Sequence, residues 1–356
     1  MKLSTISGLC SVAAVSAASG QVVSLSFDAP TIDRWVYPFA SSAGYEFEAK
    51  TFSSLGQETA FFPITFDQRD GQIMVGFDFP ANLPPGRGAC GYRVISAVLT
   101  LKVSNHNVYK YDPTYDGWQT YLNGAGDADG RPIELYGAAF RNGWMACRID
   151  PSMPALNQFP CYWEGSPERA APPFGPGSFP TRDTRYAYAT DYAGRVERDV
   201  SNNVRDQFDS KPFAVGQIGG LAPGALVPVD RDTVFTLNVN DADVQAYLRR
   251  ACDAGLVRLL VTSLQQASAG GPGPGGGSFA SFYTKEIGID GFGPRFSISV
   301  RLTSAGDADG SGGVDFADIT SVLTNWGLVG PDGDANCDGV VNFSDITEVL
   351  TNWGSL

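Results

Sequence analysis

The chain has a single histidine, His106, in 356 residues, and none of its cysteines stands in a CxxC pair. A histidine-built zinc site and a thiol redox pair therefore have no material to work with. A Ser-His-Asp triad would have to use His106. That residue lies in the turn-like string SNHNVY just after a strand-like segment, and no G-x-S-x-G motif accompanies it. It reads as a turn histidine. Basic residues are also scarce, with 25 Lys and Arg against 38 Asp and Glu and a net charge of -13. That balance argues against nucleic acid or an anionic membrane as partner, because a polyanion needs a basic face. Beyond the first 20 residues no apolar run is long enough to span a bilayer.

Residues 1–20 read as a signal peptide. Lys2 is the basic start, Leu3 to Ala18 are mostly small or apolar, and Ser16, Ala18 and Gly20 suit a cleavage site. The expectation is a secreted or cell-surface protein with residues 21–303 as a large domain and 304–356 as a small one. Export permits disulfides, and Cys90, Cys147, Cys161, Cys252 and Cys337 remain after cleavage, an odd number that leaves at least one unpaired within the chain. Cys147 and Cys161 flank a Pro-rich stretch and are the first candidates for a bridge.

Gly 42 and Pro 23, with many Val, Ile, Thr, Phe and Tyr, predict a mainly β fold of short strands and turns. QIMVGFDF (Gln72–Phe79) and YRVISAVLTLKV (Tyr92–Val103) alternate with period two, and in the second Ile95, Ala97, Leu99, Leu101 and Val103 form one apolar side. Further strands are expected at 233–239, 256–264 and 295–302. NDADVQAYLRRACDAG predicts a helix capped by Asn240, with Val244, Tyr247, Leu248 and Ala251 inward and Gly255 as the stop. RDVSNNVRDQF (198–208) is a weaker helix of the same kind, and long loops are expected over 104–190. VISAVLTLKV, VNDADVQAYLRRACDAGLVRLLVTS, FYTKE (Phe282–Glu286) and PRFSISV (Pro294–Val300) together resemble bacterial DNRLRE-type β-sandwich modules, a group that includes carbohydrate-binding modules. The resemblance implies a jelly-roll-like β-sandwich and, more distantly, a polysaccharide-binding surface.

The strongest internal signal is a repeat. GDADGSGGVDFADITSVLTNWG begins at Gly306 and returns 27 residues later as GDANCDGVVNFSDITEVLTNWG, identical at 15 of 22 positions. Calcium loops take oxygen ligands from positions one, three, five, seven, nine and twelve, with glycine at six for the turn. The first copy then offers Asp307, Asp309, Ser311, the carbonyl of Gly313, Asp315 and Asp318, turning at Gly312. The second offers Asp334, Asn336, Asp338, the carbonyl of Val340, Asn342 and Asp345, turning at Gly339. A helix is expected after each loop, with stripes Ile319, Val322, Leu323, Trp326 and Ile346, Val349, Leu350, Trp353, and none before it. This tandem loop-helix unit, related to the EF-hand and ending in Asp at position twelve, resembles the dockerin module of cellulosome-type assemblies. The resemblance implies two bound Ca2+ ions and docking to a cohesin-like or cell-surface partner through residues 304–356. At the positions where many dockerins carry recognition residues this chain has Phe316-Ala317 and Phe343-Ser344, and the two phenylalanines are expected to pack beneath the helices.

A second GDADG, at Gly126–Gly130, fails the same template, since Arg131, Pro132 and Ala138 fall at positions five, six and twelve. Asp112, Asp116 and Glu134 are its only nearby company for an irregular site. Trp118, Tyr121, Trp144, Tyr162 and Trp163 cluster in the loop-rich middle and read as loop anchors, with sugar stacking as the functional alternative. The leading functional reading is a secreted, non-catalytic protein with a calcium-dependent docking module and a β-sandwich that presents a possible polysaccharide-binding surface. Its rivals are a carbohydrate-active enzyme of polysaccharide catabolism tethered by the same module, with no acid-base pair marked in the sequence, and a structural envelope protein.

Overall fold

The computed structural model describes residues 20–37, 44–53, 68–122, 130–149, 160–166, 185–267 and 277–355. The signal-peptide assignment falls, apart from Gly20, outside these residues, as do Asp127 and Asp129. The strands are β1 (Val22–Phe27), β2 (Ile32–Val36), β3 (Glu48–Thr51), β4 (Gln72–Asp78), β5 (Tyr92–Lys102), β6 (Ile133–Phe140), β7 (Ala187–Thr190), β8 (Ala214–Val215), β9 (Asp232–Thr236), β10 (Leu256–Ser263), β11 (Ala280–Tyr283) and β12 (Arg295–Leu302). The α-helices are α1 (Trp118–Leu122), α2 (Ala242–Ala254), α3 (Phe316–Thr324) and α4 (Phe343–Thr351). The chain is mainly β, as composition predicts. None of the described helices is long and apolar enough to cross a membrane.

One sheet runs β1-β12-β5-β9 and a larger one β2-β4-β10-β6-β7 with β8 also on β6, while β11 and β3 form a third pair. The named strands pair antiparallel throughout. The two large sheets contribute to one buried cluster: Ile73, Val75 and Phe77 of β4 and Val257, Leu259 and Val261 of β10 meet Ala97, Leu99 and Leu101 of β5 and Phe296, Ile298 and Val300 of β12. Phe77 stacks on Phe296 with ring centroids 5.1 Å apart.

Helix α2 seals this core. Its N-cap is Asp241 rather than the expected Asn240, because the Asp241 carboxylate accepts from the N–H groups of Asp243 and Val244. Gly255 ends it in the left-handed conformation at φ 75°, as expected. Val244, Tyr247, Leu248 and Ala251 all face inward. The Tyr247 hydroxyl donates to the Arg258 carbonyl at 2.6 Å and accepts from the Ala138 N–H at 2.9 Å. Gly137 makes room for this ring, since a Cβ there would fall 2.5 Å from it.

Three expectations need correction. In β5 the inward register is not continuous. The pairing with β12 slips between Ser299 and Val300, which leaves Ile95 44 % exposed and turns Tyr92 and Val94 into the core. In β4 both faces are buried, because Met74 meets a second cluster with Tyr136, Leu260, Tyr162, Tyr186 and Val200 on the other side of the sheet. Residues 198–208 hold no helix: Asp199 bridges to Thr190 and residues 201–207 form turns. Their asparagines are used as acceptors: Asn202 takes the Gln68 N–H at 3.0 Å and Asn203 the Arg69 Nε–H at 3.2 Å. A helix would turn those groups away from the sheet.

The aromatics of the middle region anchor loops. Trp144 stacks on Tyr186 at 5.3 Å, Tyr162 lies under the Arg34 guanidinium at 4.8 Å, and Tyr121 is buried with Val204 and Leu264. The expected Cys147–Cys161 disulfide is present. Cys90 bonds to Cys337 across 247 residues, a pairing not expected from the sequence, and Cys252 is free and buried.

Candidate metal centre

Each repeat is a turn-rich loop followed by a helix, α3 after the first and α4 after the second. In the first, Gly306, Gly310 and Gly312 take positive φ of 88°, 73° and 102°, the region where a side chain is strained, so the loop can wind inward on itself. Asp307 accepts the Gly312 N–H at 3.1 Å through Oδ2, and Asp309 accepts from Ser311 N at 2.8 Å. Asp318, at position twelve and fully buried, accepts from Asp309 N at 3.0 Å and from Asp315 N at 2.8 Å. Asp315 caps α3, and with Asp318 it forms a capping box. The carboxylate at twelve thus both closes the loop and starts the helix.

The second loop repeats this scheme. Asp334 accepts from Gly339 N at 3.0 Å, Asp345 from Asn336 N at 3.1 Å and from Asn342 N at 2.8 Å, and Asn342 caps α4. Asp338 accepts from Val340 N at 2.9 Å. Ser311 and Gly313 of the first loop lie together, the Ser311 hydroxyl 3.4 Å from the Gly313 carbonyl. No helix runs directly into either loop, since residues 303–306 and 325–333 are turns, bends and irregular backbone.

Ligand oxygens of Asp307, Asp309 and Asp318 lie within 4.8 Å of one another. Burial, followed by the neighbouring Asp318 carboxylate, pushes Asp307 up to about 6. Asp318 is raised by burial and by Asp309. Burial also raises Asp334, opposed by the Gly339 N–H and by Arg249 and Arg195. Two oxygens complete the picture. Oδ1 of Asp307 and Oδ1 of Asp334 are buried with no hydrogen-bond partner, in residues only 8 % and 4 % exposed. A buried carboxylate oxygen without a donor is costly. In both loops it is the position-one oxygen, where a hard cation would supply the missing partner. The donor set is all oxygen, which fits calcium.

Behind the loops Val322 and Val349 are buried with Ala308, Val314, Ala335 and Val341, and Ile319 and Ile346 pack against them. The rest of each expected apolar stripe points out: Leu323 and Leu350 are both 57 % exposed. Phe316 and Phe343 are each 70 % exposed, so they do not pack beneath the helices as expected. The reason lies in position: each is the first residue of its helix, beside the cap, where its side chain clears the small core.

The repeat is held to the sheets by groups far away in sequence. Cys337, at position four of the second loop, bonds to Cys90, and Arg195 donates to the Cys337 carbonyl. Arg93 pairs with Asp332, and Arg301 donates to the Gly310 carbonyl at 2.8 Å. None of these was marked by the loop motif. Only the cysteine, odd in a polar loop, was a sign that something anchors there.

The other candidates are occupied. His106 is exposed, its Nδ1 accepting from Val229 N at 3.3 Å. Asp116 pairs with Arg131 at 3.3 Å, Glu134 pairs with Arg69, and Asp112 closes a turn with Thr114. Asp33, Glu164 and Glu286 surround the Lys285 ammonium, with Asp33 and Glu286 each 2.7 Å from it. Burial raises Asp33 to about 6 against the pull of Lys285. Both acids raised within the sheets, Asp33 and Glu134, are fully buried. A concavity of about 260 Å³ opens beside β6 and β10, lined in part by Phe140, Trp144, Met145, Arg250 and Arg258. Comparison with family models gives no match for this chain, and comparison with curated proteins gives none.

Proposed function

We propose that this is an exported, non-catalytic protein whose C-terminal residues 304–356 form a dockerin-like module that binds two Ca2+ ions and docks to a cohesin-like or cell-surface partner. The unpartnered, buried position-one oxygens of Asp307 and Asp334 carry the reading. Asp307, Asp309, Ser311, the Gly313 carbonyl, Asp315 and Asp318 would hold one ion. Asp334, Asn336, Asp338, the Val340 carbonyl, Asn342 and Asp345 would hold the other. Calcium supplies the charge that offsets the clustered carboxylates; the chain's own N–H donors already set their orientation. The exposed pairs Phe316/Phe343 and Leu323/Leu350 supply an apolar face for the partner. The two disulfides support an oxidising destination.

The sheets then form a jelly-roll-like sandwich that offers a polysaccharide-binding surface. The concavity with Trp144 and two arginines supports this part. Calorimetric titration of the intact chain with calcium tests the central claim: two ions are expected, and Asp318→Ala with Asp345→Ala should remove both. Heat and helix content unchanged by calcium or by chelator would sink it. A polysaccharide pull-down with product analysis addresses the sheets: retention without new reducing ends is expected, and new reducing ends would move the assignment to an enzyme.

A further inference from the structure

The two loops are alike in sequence but differ in their surroundings. At the first, the arginines of the sheets touch only backbone: Arg301 donates to the Gly310 carbonyl at 2.8 Å, and Arg93 approaches the Asp309 carbonyl at 3.5 Å. At the second, Arg195 reaches a ligand. Its Nη2 is 3.4 Å from Asp334 Oδ2, its Nη1 donates to the Cys337 carbonyl, and a Cβ on Gly339 would overlap the guanidinium. The cation therefore lies directly on the position-six turn of the calcium loop. Arg249, buried nearby, adds a second positive field on Asp334. The charge count runs the same way. The first loop carries four carboxylates, Asp307, Asp309, Asp315 and Asp318, whereas the second has asparagine at positions three and nine and keeps three, Asp334, Asp338 and Asp345.

We infer that Arg195 sets the affinity of the second loop: held against Oδ2 of Asp334, its guanidinium opposes by its charge a Ca2+ ion at the free Oδ1, so the two sites fill in order, the first loop tightly and the second weakly. The inference rests on the calcium reading above. Affinity in such loops follows ligand charge, and a fixed cation against the position-one carboxylate subtracts from it. Cys90–Cys337 holds the loop against the sheets, so the loop cannot simply swing away from Arg195. Weakening is expected to reach about tenfold or more, equivalent to about 1.4 kcal/mol.

Calorimetry on the intact, oxidised chain tests this with calcium alone as probe. The native protein should show two steps; Asp318→Asn should remove the tighter and Asp345→Asn the weaker. Arg195→Gln should tighten the weaker step about tenfold and leave the tighter step in place, while Arg195→Lys, which keeps the charge, should hold the native separation. An unchanged or weakened second step in Arg195→Gln, or two equal steps in the native chain, overturns the role of Arg195 and leaves calcium binding standing. If neither the native chain nor Arg195→Gln takes up calcium, the metal reading itself fails.

Discussion

Asp307→Asn separates what this carboxylate does for calcium from what it costs without calcium. Its ligand oxygen lies within 4.8 Å of those of Asp309 and Asp318, so it meets two like charges. At 4.8 Å each repulsion is about 3.5 kcal/mol for an effective dielectric of about 20, and about 1 kcal/mol in bulk water. Asp309 is partly exposed and solvent screens it, so about 2 kcal/mol is a reasonable sum for the two. Asparagine keeps the shape and keeps an acceptor for the Gly312 N–H. The metal-free variant should therefore be locally more stable than the native chain, by about 2 kcal/mol, while its response to calcium shrinks. Amide hydrogen exchange across Phe316–Thr324 in the intact chain reads both effects. In chelator, exchange should slow by roughly 30-fold relative to the native protein, and calcium should add much less protection than it does there. Faster exchange in chelator would show that the carboxylate stabilises the loop by itself. Full calcium protection in the variant would show that Asp307 is no ligand. Either result refutes the reasoning.

Two further predictions concern the sheets. Glu134→Ala leaves the buried Arg69 guanidinium without its carboxylate, so urea unfolding should show a loss of about 3–5 kcal/mol, and a loss under about 1 kcal/mol would mean that water or a neighbour replaces the pair. Asp33 is raised to about 6 from 3.8 by burial. Its proton thus binds the folded chain more tightly than the unfolded one, and the stabilisation from that proton, absent above the folded value, grows as pH falls through it and is complete below 3.8. Between about pH 7 and about pH 4.5 the stability difference between the native chain and Asp33→Asn should move by about 2 kcal/mol in favour of the native chain. A difference that stays flat over that range would place the Asp33 proton elsewhere.

Much of the fold was legible where one residue type does one job. Strand β12 ends where its alternation ends, and Gly255 stops α2 because only a left-handed residue can. Reading failed where a distant partner decides. Ile95 continues the period of β5 perfectly, yet the bulge against Ser299 and Val300 throws it out to solvent. Residues 198–208 have helical spacing, but Asn202 and Asn203 are claimed by Gln68 and Arg69, more than a hundred residues away in sequence.

The same distinction governs the metal centre. Spacing alone picks out the candidate ligands, because the template covers twelve consecutive residues and the hydrogen bonds of each loop close within them: Asp318 onto Asp309 and Asp315, Asp345 onto Asn336 and Asn342. What spacing cannot contain is the field imposed from outside. Arg195 and Cys90 come from separate short turns, after β7 and before β5, and converge on the second loop only, at Asp334 and Cys337. Two repeats identical at 15 of 22 positions are thereby placed in unlike electrostatic settings. Duplication supplies two equivalent loops, and the sheet surface on which they rest makes them unequal. On the calcium reading proposed above, residue identity within a repeat bounds which ion is held, and the order in which the two sites would fill is set by residues that the repeat does not include.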